Sequence, residues 1–248
     1  MKRTPEEQAK WLSELPSHRI AFEDVDFLHR DDLRAVRLQL EHLKPELLQQ
    51  EQGIVSTIVV FGSARTPSEG EGSRYYEEAR RFAAMVSEHC QARGIRKFVI
   101  TTGGGPGIME AANRGADDVS AKSIGLNIEI PHEQVPNPYV TPELCFSFHY
   151  FALRKMHFLL RAKALVIFPG GFGTLDELFD ALTLIQTRKM EPMPIVLVGR
   201  DYWGNVLNLD YMVEQGTISA ADLDIVSHVD TAAEAWDAIR DYYPEQLR

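Results

Sequence analysis

From residue 57 onward, short apolar-rich runs alternate with longer stretches in which apolar residues recur every three or four positions. The runs fall at 57–61, 97–101, 123–130, 145–149, 164–168, 194–198 and 224–229. Each is too short for a typical helix, and the unbroken apolarity of Ala164–Phe168 predicts a strand covered on both faces. Helical spacing predicts helices over 73–92, from the glycines at 103–107 to about 120, over 150–161, over 202–215 and from Thr231 onward. Leu175, Leu178, Phe179, Leu182 and Ile185 predict the inward stripe of one more helix. Strands alternating with helices predict an α/β, doubly wound, mostly parallel, Rossmann-like sheet. Residues 1–53 lack that alternation. They predict an N-terminal helical extension, with helices over 5–15 and 31–50 and a kink or early break at Pro45, ahead of an α/β domain over 54–248. No internal repeat or low-complexity segment interrupts this pattern.

Three of the predicted strands end in glycines: Gly62-Ser63, Gly103-Gly104-Gly105-Pro106-Gly107 and Gly170-Gly171-Phe172-Gly173-Thr174. In a parallel sheet such loops gather at the carboxyl edge, where ligands bind. Glycines let the backbone approach a phosphate, and the first helical N–H groups with the helix dipole favour its charge. Thr174 can cap its helix or offer a hydroxyl to that phosphate. Glu177 brings a carboxylate one turn in, where it would repel the phosphate unless it served chemistry on the group attached. No loop ends in Gly-Lys-Ser/Thr, and none matches G-x-G-x-x-G with an acid about 20 residues on, which disfavours an ATPase or a standard NAD site.

The charge balance narrows the partners. Across 248 residues the net charge is −10, with no basic run. That argues against nucleic-acid or anionic-membrane binding and leaves a small anionic ligand in a locally positive pocket. No run is long enough to span a bilayer, the start lacks a signal-peptide core, and Cys90 and Cys145 form no close-spaced pair, so a cytoplasmic protein is expected. Cys90, in phase with Tyr76, Ala79, Ala83 and Val86, is expected in the core, and Cys145 is expected buried. Nothing in the spacing calls for a metal or another cofactor.

Arg154 and Lys155 stand near the start of a predicted helix, against its dipole, which suggests an anion or carboxylate to meet them. With these cations, the Gly103–Ala111 segment and the run Pro169-Gly170-Gly171-Phe172-Gly173-Thr174-Leu175-Asp176-Glu177, the chain resembles the LOG family over about residues 55–230. Its members are cytokinin riboside 5′-monophosphate phosphoribohydrolases, often labelled lysine decarboxylase-like, and the extension over 1–53 resembles the longer bacterial forms. The resemblance implies cleavage of a purine or cytokinin nucleoside 5′-monophosphate to free base and ribose 5-phosphate, by a homodimer or larger homo-oligomer with its site near the subunit interface. It implies Arg154 and Glu177 as catalytic residues. It places substrate contacts at Lys155, Gly170, Gly171, Phe172, Gly173, Thr174, Leu175, Asp176 and Thr183, with Gly104 and Gly105 from the second glycine loop and, more loosely, Ser63 and Met109.

Cleavage of this bond passes through a ribosyl cation of oxocarbenium character, which an ionised Glu177 would stabilise while activating water. Arg154 would keep that acid charged and aimed, and the glycine loop would hold the phosphate. Asp176 reads as a helix N-terminal charge rather than a second catalyst. His149 and His157 are candidate proton donors to the base, each more often structural. Two rivals remain. A pyridoxal phosphate-dependent decarboxylase needs a lysine for a Schiff base, and no convincing one is evident. A non-catalytic carrier of a nucleotide or of molybdenum cofactor would gain little from Glu177.

Overall fold

The computed structural model describes residues 3–91, 94–130 and 135–247. The expected helix end at Ala92 and residues 131–134 of the polar connection to Pro142 lie outside the described residues. The chain divides into two compact units, Met1–Lys44 and Pro45–Arg248.

In the first unit, α1 (Pro5–Ser13) opens with a reciprocal cap, in which Glu7 N–H donates to Thr4 Oγ1 and Thr4 N–H to Glu7 Oε2. Asp24 caps the short α2 (Val25–Leu28), which the apolar pattern did not reveal. The following helix, α3 (Arg34–Glu51), begins in this unit and ends in the second. It continues through Pro45 as one helix, so of the kink or early break expected there the break does not occur. Proline removes one helical N–H, but the turn containing it is anchored by Glu46, which receives both arms of Arg161, Nη2 at 2.6 Å.

The second unit is built on seven parallel strands: β1 (Thr57–Phe61), β2 (Val99–Thr102), β3 (Ser123–Ile128), β4 (Cys145–Phe148), β5 (Ala162–Ile167), β6 (Ile195–Val198) and β7 (Val226–Val229). Their order across the sheet is β4-β3-β2-β1-β5-β6-β7, every neighbouring pair parallel. The fold is thus the α/β Rossmann-like one that the strand–helix alternation predicts. Alternate strand residues feed opposite faces. Ile58, Val60, Ile100, Val166 and Val196 pack under α4 (Arg74–Gln91), α5 (Ile108–Asp118) and α10 (Ala232–Tyr242). Val59, Phe61, Val99, Ile167 and Ile195 pack under α6 (Phe151–Leu160), α7 (Phe172–Gln186) and α8 (Arg200–Val206). Burial on both faces explains why β1 and β6 carry no polar alternation.

Some boundaries differ from the pattern. The helix expected over 202–215 is two, α8 and α9 (Leu209–Glu214), because Leu207 is extended and Asn208 restarts the helix by accepting from Tyr211 N–H. The strand expected from Asp224 begins at Val226, after a 3₁₀ turn over Ala220–Ile225. Cys90 is in the core as expected, whereas Cys145 is only half-buried at the sheet edge, 3.4 Å from Asn127 Nδ2. No helix among the described residues is long and apolar enough to cross a membrane.

Candidate functional site

The sheet order places the site. From β1 the chain winds outward through β2, β3 and β4, then returns to lay β5 on the other side of β1. Loops leaving β1 and β5 therefore diverge, and a crevice opens between them at the carboxyl edge. Backbone bonds tie its rims together. Ser63 N–H donates to Pro169 O at 2.9 Å, Phe168 N–H to Phe61 O at 2.9 Å, and Ile108 N–H to Ser63 O at 3.1 Å. The resulting cleft has a volume of about 640 Å³ and takes wall residues from all three glycine loops.

One wall is the first turn of α7. Gly171 is its N-cap, without a side-chain cap, and among the described residues the amides of Phe172 and Gly173 have no backbone acceptor. These are the orphan donors that an anion satisfies. Thr174 does not cap the helix, as its sequence position allowed, but sits buried inside the first turn. From α8, Tyr202 Oη donates to Gly170 O at 2.7 Å and fixes the glycine turn. Four of the five residues of the expected stripe on α7 pack on the core: Leu178 and Ile185 are buried, and Leu175 and Leu182 are half-buried against it. Thr174, Glu177, Leu178, Ala181 and Ile185 are buried, while Phe179 is exposed. The five apolar residues gave the phase of a conventional amphipathic helix, but Thr174 and Glu177 take inward positions because the inward face at this end is the cleft wall.

Glu177 is 7% exposed. Burial pushes its carboxyl up to about 7, an effect that Arg154 and then Lys155 oppose by charge. Arg154 was expected to hold this acid firmly ionised; desolvation wins instead and leaves the proton balanced near neutrality. Burial likewise lowers the Arg154 guanidinium, and the charge of Glu177 supports it. Arg154 is held on three sides. Its Nε donates to Leu126 O at 2.7 Å, and its guanidinium lies 5.1 Å from the Phe158 ring centre. Its Nη2 also occupies space that exists because residue 103 is glycine: a Cβ there would lie 2.5 Å away. This buried acid beside a clamped cation, facing orphan amides, can bind an anion and exchange a proton one helical turn from it.

Of the residues expected at the site, Ser63, Met109, Arg154, Gly170, Gly171, Phe172, Gly173, Thr174, Leu175, Asp176 and Glu177 line the cleft. Gly104, Gly105, Lys155 and Thr183 do not. The carbonyls of Gly104 and Gly105 accept from Asn137 Nδ2 at 3.1 and 3.0 Å, which buttresses the loop from behind. Lys155 Nζ pairs with Asp176 at 2.7 Å, so the carboxylate sought for this cation lies within the protein. Thr183 is on the exposed face of α7 and bonds back to Phe179 O. Neither His149, 3.3 Å from Glu129, nor His157, buried against Phe148, lines the cleft. The cleft also takes Arg65, Phe151, Phe158 and Tyr202, which motif reading did not single out. An aromatic residue just inside a helix, as at Tyr202, was the available signal. Among the described residues no cluster of three or more His, Cys, Asp or Glu side chains could hold a metal.

Comparison with known proteins finds relatives of this chain. A family model described as "Possible lysine decarboxylase" matches residues 109–239. A probable cytokinin riboside 5′-monophosphate phosphoribohydrolase of Oryza sativa subsp. japonica is 28% identical over 207 residues, covering 79% of this chain and 88% of that protein. A pyrimidine/purine nucleotide 5′-monophosphate nucleosidase of Escherichia coli K12 is 33% identical over 116 residues, which are 43% of this chain and 25% of that longer protein. Among solved structures, the molybdenum cofactor binding protein of Rippkaea orientalis shares the fold at 17% identity and a TM-score of 0.52, over 76% of this chain and 97% of that one.

Proposed function

The chain belongs to the family described as possible lysine decarboxylase, the LOG family, and on that premise we propose that it hydrolyses the N-glycosidic bond of a nucleoside 5′-monophosphate to free base and ribose 5-phosphate. One observation carries this reading: a buried carboxyl, Glu177, stands on the first turns of a helix whose N-terminal amides face the same cleft. A site built only to hold an anion gains nothing from a carboxyl placed there.

In this scheme the 5′-phosphate sits on the amides of Phe172 and Gly173, beside Thr174. Binding energy far from the reacting bond then places C1′ of the ribose. Ionised Glu177 stabilises the positive charge that grows on the sugar as the bond to the base stretches, and takes a proton from the water that attacks C1′. The water's oxygen becomes the new hydroxyl, and the base leaves with the bonding electron pair and gains a proton. Arg154 balances the acid and meets a sugar hydroxyl. Phe151 and Met109 offer apolar surface to a flat purine, plain or N6-prenylated. The enzyme is cytoplasmic, and acts as a homodimer with its site near the subunit interface. Exposed Phe151, Met156, Leu160, Phe172 and Phe179, all on the two helices that wall the cleft, support that assembly.

A decarboxylase using pyridoxal phosphate is disfavoured by the side chains present, since among the described residues no lysine lines the cleft. The carrier reading rests on shared fold alone. Incubation with AMP, N6-prenylated AMP and adenosine, followed by chromatography of the products, tests the proposal. Equimolar base and ribose 5-phosphate from at least one nucleotide are expected; binding without release would favour the carrier.

A further inference from the structure

The cleft holds a cation that the scheme above leaves without a task. Arg65, on the loop after β1, is exposed, and among the described residues its guanidinium makes no hydrogen bond or ion pair. The other nearby cations are engaged: Arg154 by Leu126 O and the Phe158 ring, Lys155 by Asp176. Acidic residues outnumber basic ones by ten in this chain, so a solvent-facing arginine has carboxylates in plenty to choose from.

Its place in the sheet order sets it apart from Arg154. β1 lies between β2 and β5. Arg154 packs against Gly103, on the β2 side. Arg65 belongs to the loop that Ser63 N–H ties to Pro169 O, immediately before the glycine turn on the β5 side. Ser63, Arg65, Gly170, Gly171 and Tyr202 line both the cleft and a smaller chamber of about 290 Å³ beside it. Arg65 thus flanks the glycine turn, while Arg154 flanks the acid. A phosphate monoester at the N-terminus of α7 carries nearly two charges, and the helix end supplies only about half a charge in return. Lys155 and Arg154 are already committed to the carboxyls of that wall, Asp176 and Glu177, and so do not make up the deficit.

We propose that Arg65 is the specificity-determining residue for the phosphate: it folds over the glycine turn, donates to the 5′-phosphate, and so selects nucleoside monophosphates over nucleosides. This inference rests on the proposed phosphate site but not on turnover. The Ser63 hydroxyl, which already accepts from Arg65 N–H at 3.0 Å, fixes the backbone from which the side chain swings.

Calorimetric titration of the full chain with ribose 5-phosphate and with adenosine, for the parent, Arg65→Ala and Arg65→Lys, tests it. The alanine variant is expected to bind ribose 5-phosphate about tenfold or more weakly, the loss typical of a hydrogen bond to a charged group. The lysine variant should fall between, because it keeps charge but not the forked donors. Adenosine binding should stay unchanged in all three. Equal affinity of parent and Arg65→Ala for ribose 5-phosphate, no binding by the parent, or a parallel loss for adenosine would each overturn the inference. The two proposals fail separately. A parent that binds ribose 5-phosphate through Arg65 yet leaves every nucleotide intact refutes the hydrolase and not this role. An active Arg65→Ala variant with unchanged KM for AMP refutes this role and not the hydrolase.

Discussion

At the scale of single residues, the site depends on side chains held where water would not leave them. Glu177 carries a carboxyl raised by burial, and Arg154 a guanidinium lowered by it, so each is less solvated than its chemistry prefers. The absence of a side chain at Gly103 is part of this arrangement. A methyl group there would meet Arg154 Nη2 at 2.5 Å and Met109 Sδ at 2.9 Å. Arg154 is already anchored at Nε by Leu126 O and has little freedom to retreat. Gly103→Ala is therefore expected to keep the fold but cut kcat for nucleotide cleavage by about 100-fold, the scale of loss from an ångström of misplacement. Steady-state kinetics with a circular dichroism control would check it; unchanged kcat would remove Arg154 from the mechanism. Glu177 was legible in the sequence from the glycine run, and Arg154 with Lys155 as an unexpected pair of cations; the resemblance to the LOG family, not the spacing, singled out Arg154. The relation between Glu177 and Arg154 was not legible. Whether desolvation or a neighbouring charge sets the Glu177 proton depends on burial, which one-dimensional spacing does not encode.

At the scale of elements, loops are positioned by polar cross-bracing that no motif announces. Asn113 of α5 accepts from Thr102 Oγ1 at 2.7 Å and from Asn137 Nδ2 at 3.0 Å, and donates to Ser123 Oγ at 3.0 Å. Thr102 Oγ1 in turn accepts from Gly104 N–H at 2.9 Å. This fully buried residue ties β2, β3 and the second glycine loop into one unit. Asn113→Ala would leave several buried polar groups without partners, at roughly 1–3 kcal/mol for each. We expect a Tm lower by several degrees together with a raised KM, readable by thermal melts and kinetics; a variant as stable as the parent would show that water replaces the side chain. All seven strands were legible to within two residues at either end, because burial on both faces leaves apolar runs such as Ala164–Phe168 within or beside each central strand. The α7 stripe holds at Leu175, Leu178, Leu182 and Ile185, while exposed Phe179 and buried Glu177 depart from it because a cleft competes with the core at that end. The break between α8 and α9 escaped the pattern because Asn208 restarts a helix without interrupting the apolar spacing.

At the scale of the whole molecule, sheet order alone brings residues about 110 positions apart in sequence, the Gly62 and Gly170 loops, to one crevice. A sequence gives the strands but not which side of β1 receives β5, so it could gather the glycine loops on one edge without separating the Arg65 end from the Arg154 end. The apolar side chains left exposed on α6 and α7 predict self-association through the walls of the site. Light scattering should return about twice the 28.0 kDa of one chain or a higher multiple, and Phe179→Glu should lower it; a parent mass of one chain would contradict the dimer. The most direct test of the hydrolase is the pH dependence of kcat/KM for a nucleoside monophosphate, in the parent and in Glu177→Gln. Ionised Glu177 is the acting form and its carboxyl is raised to about 7, so the parent's rate should climb as pH rises through that value and then level off. The glutamine variant should bind nucleotide yet lose turnover by about a thousandfold or more. A rate that falls across this range, or a glutamine variant as active as the parent, would contradict the account.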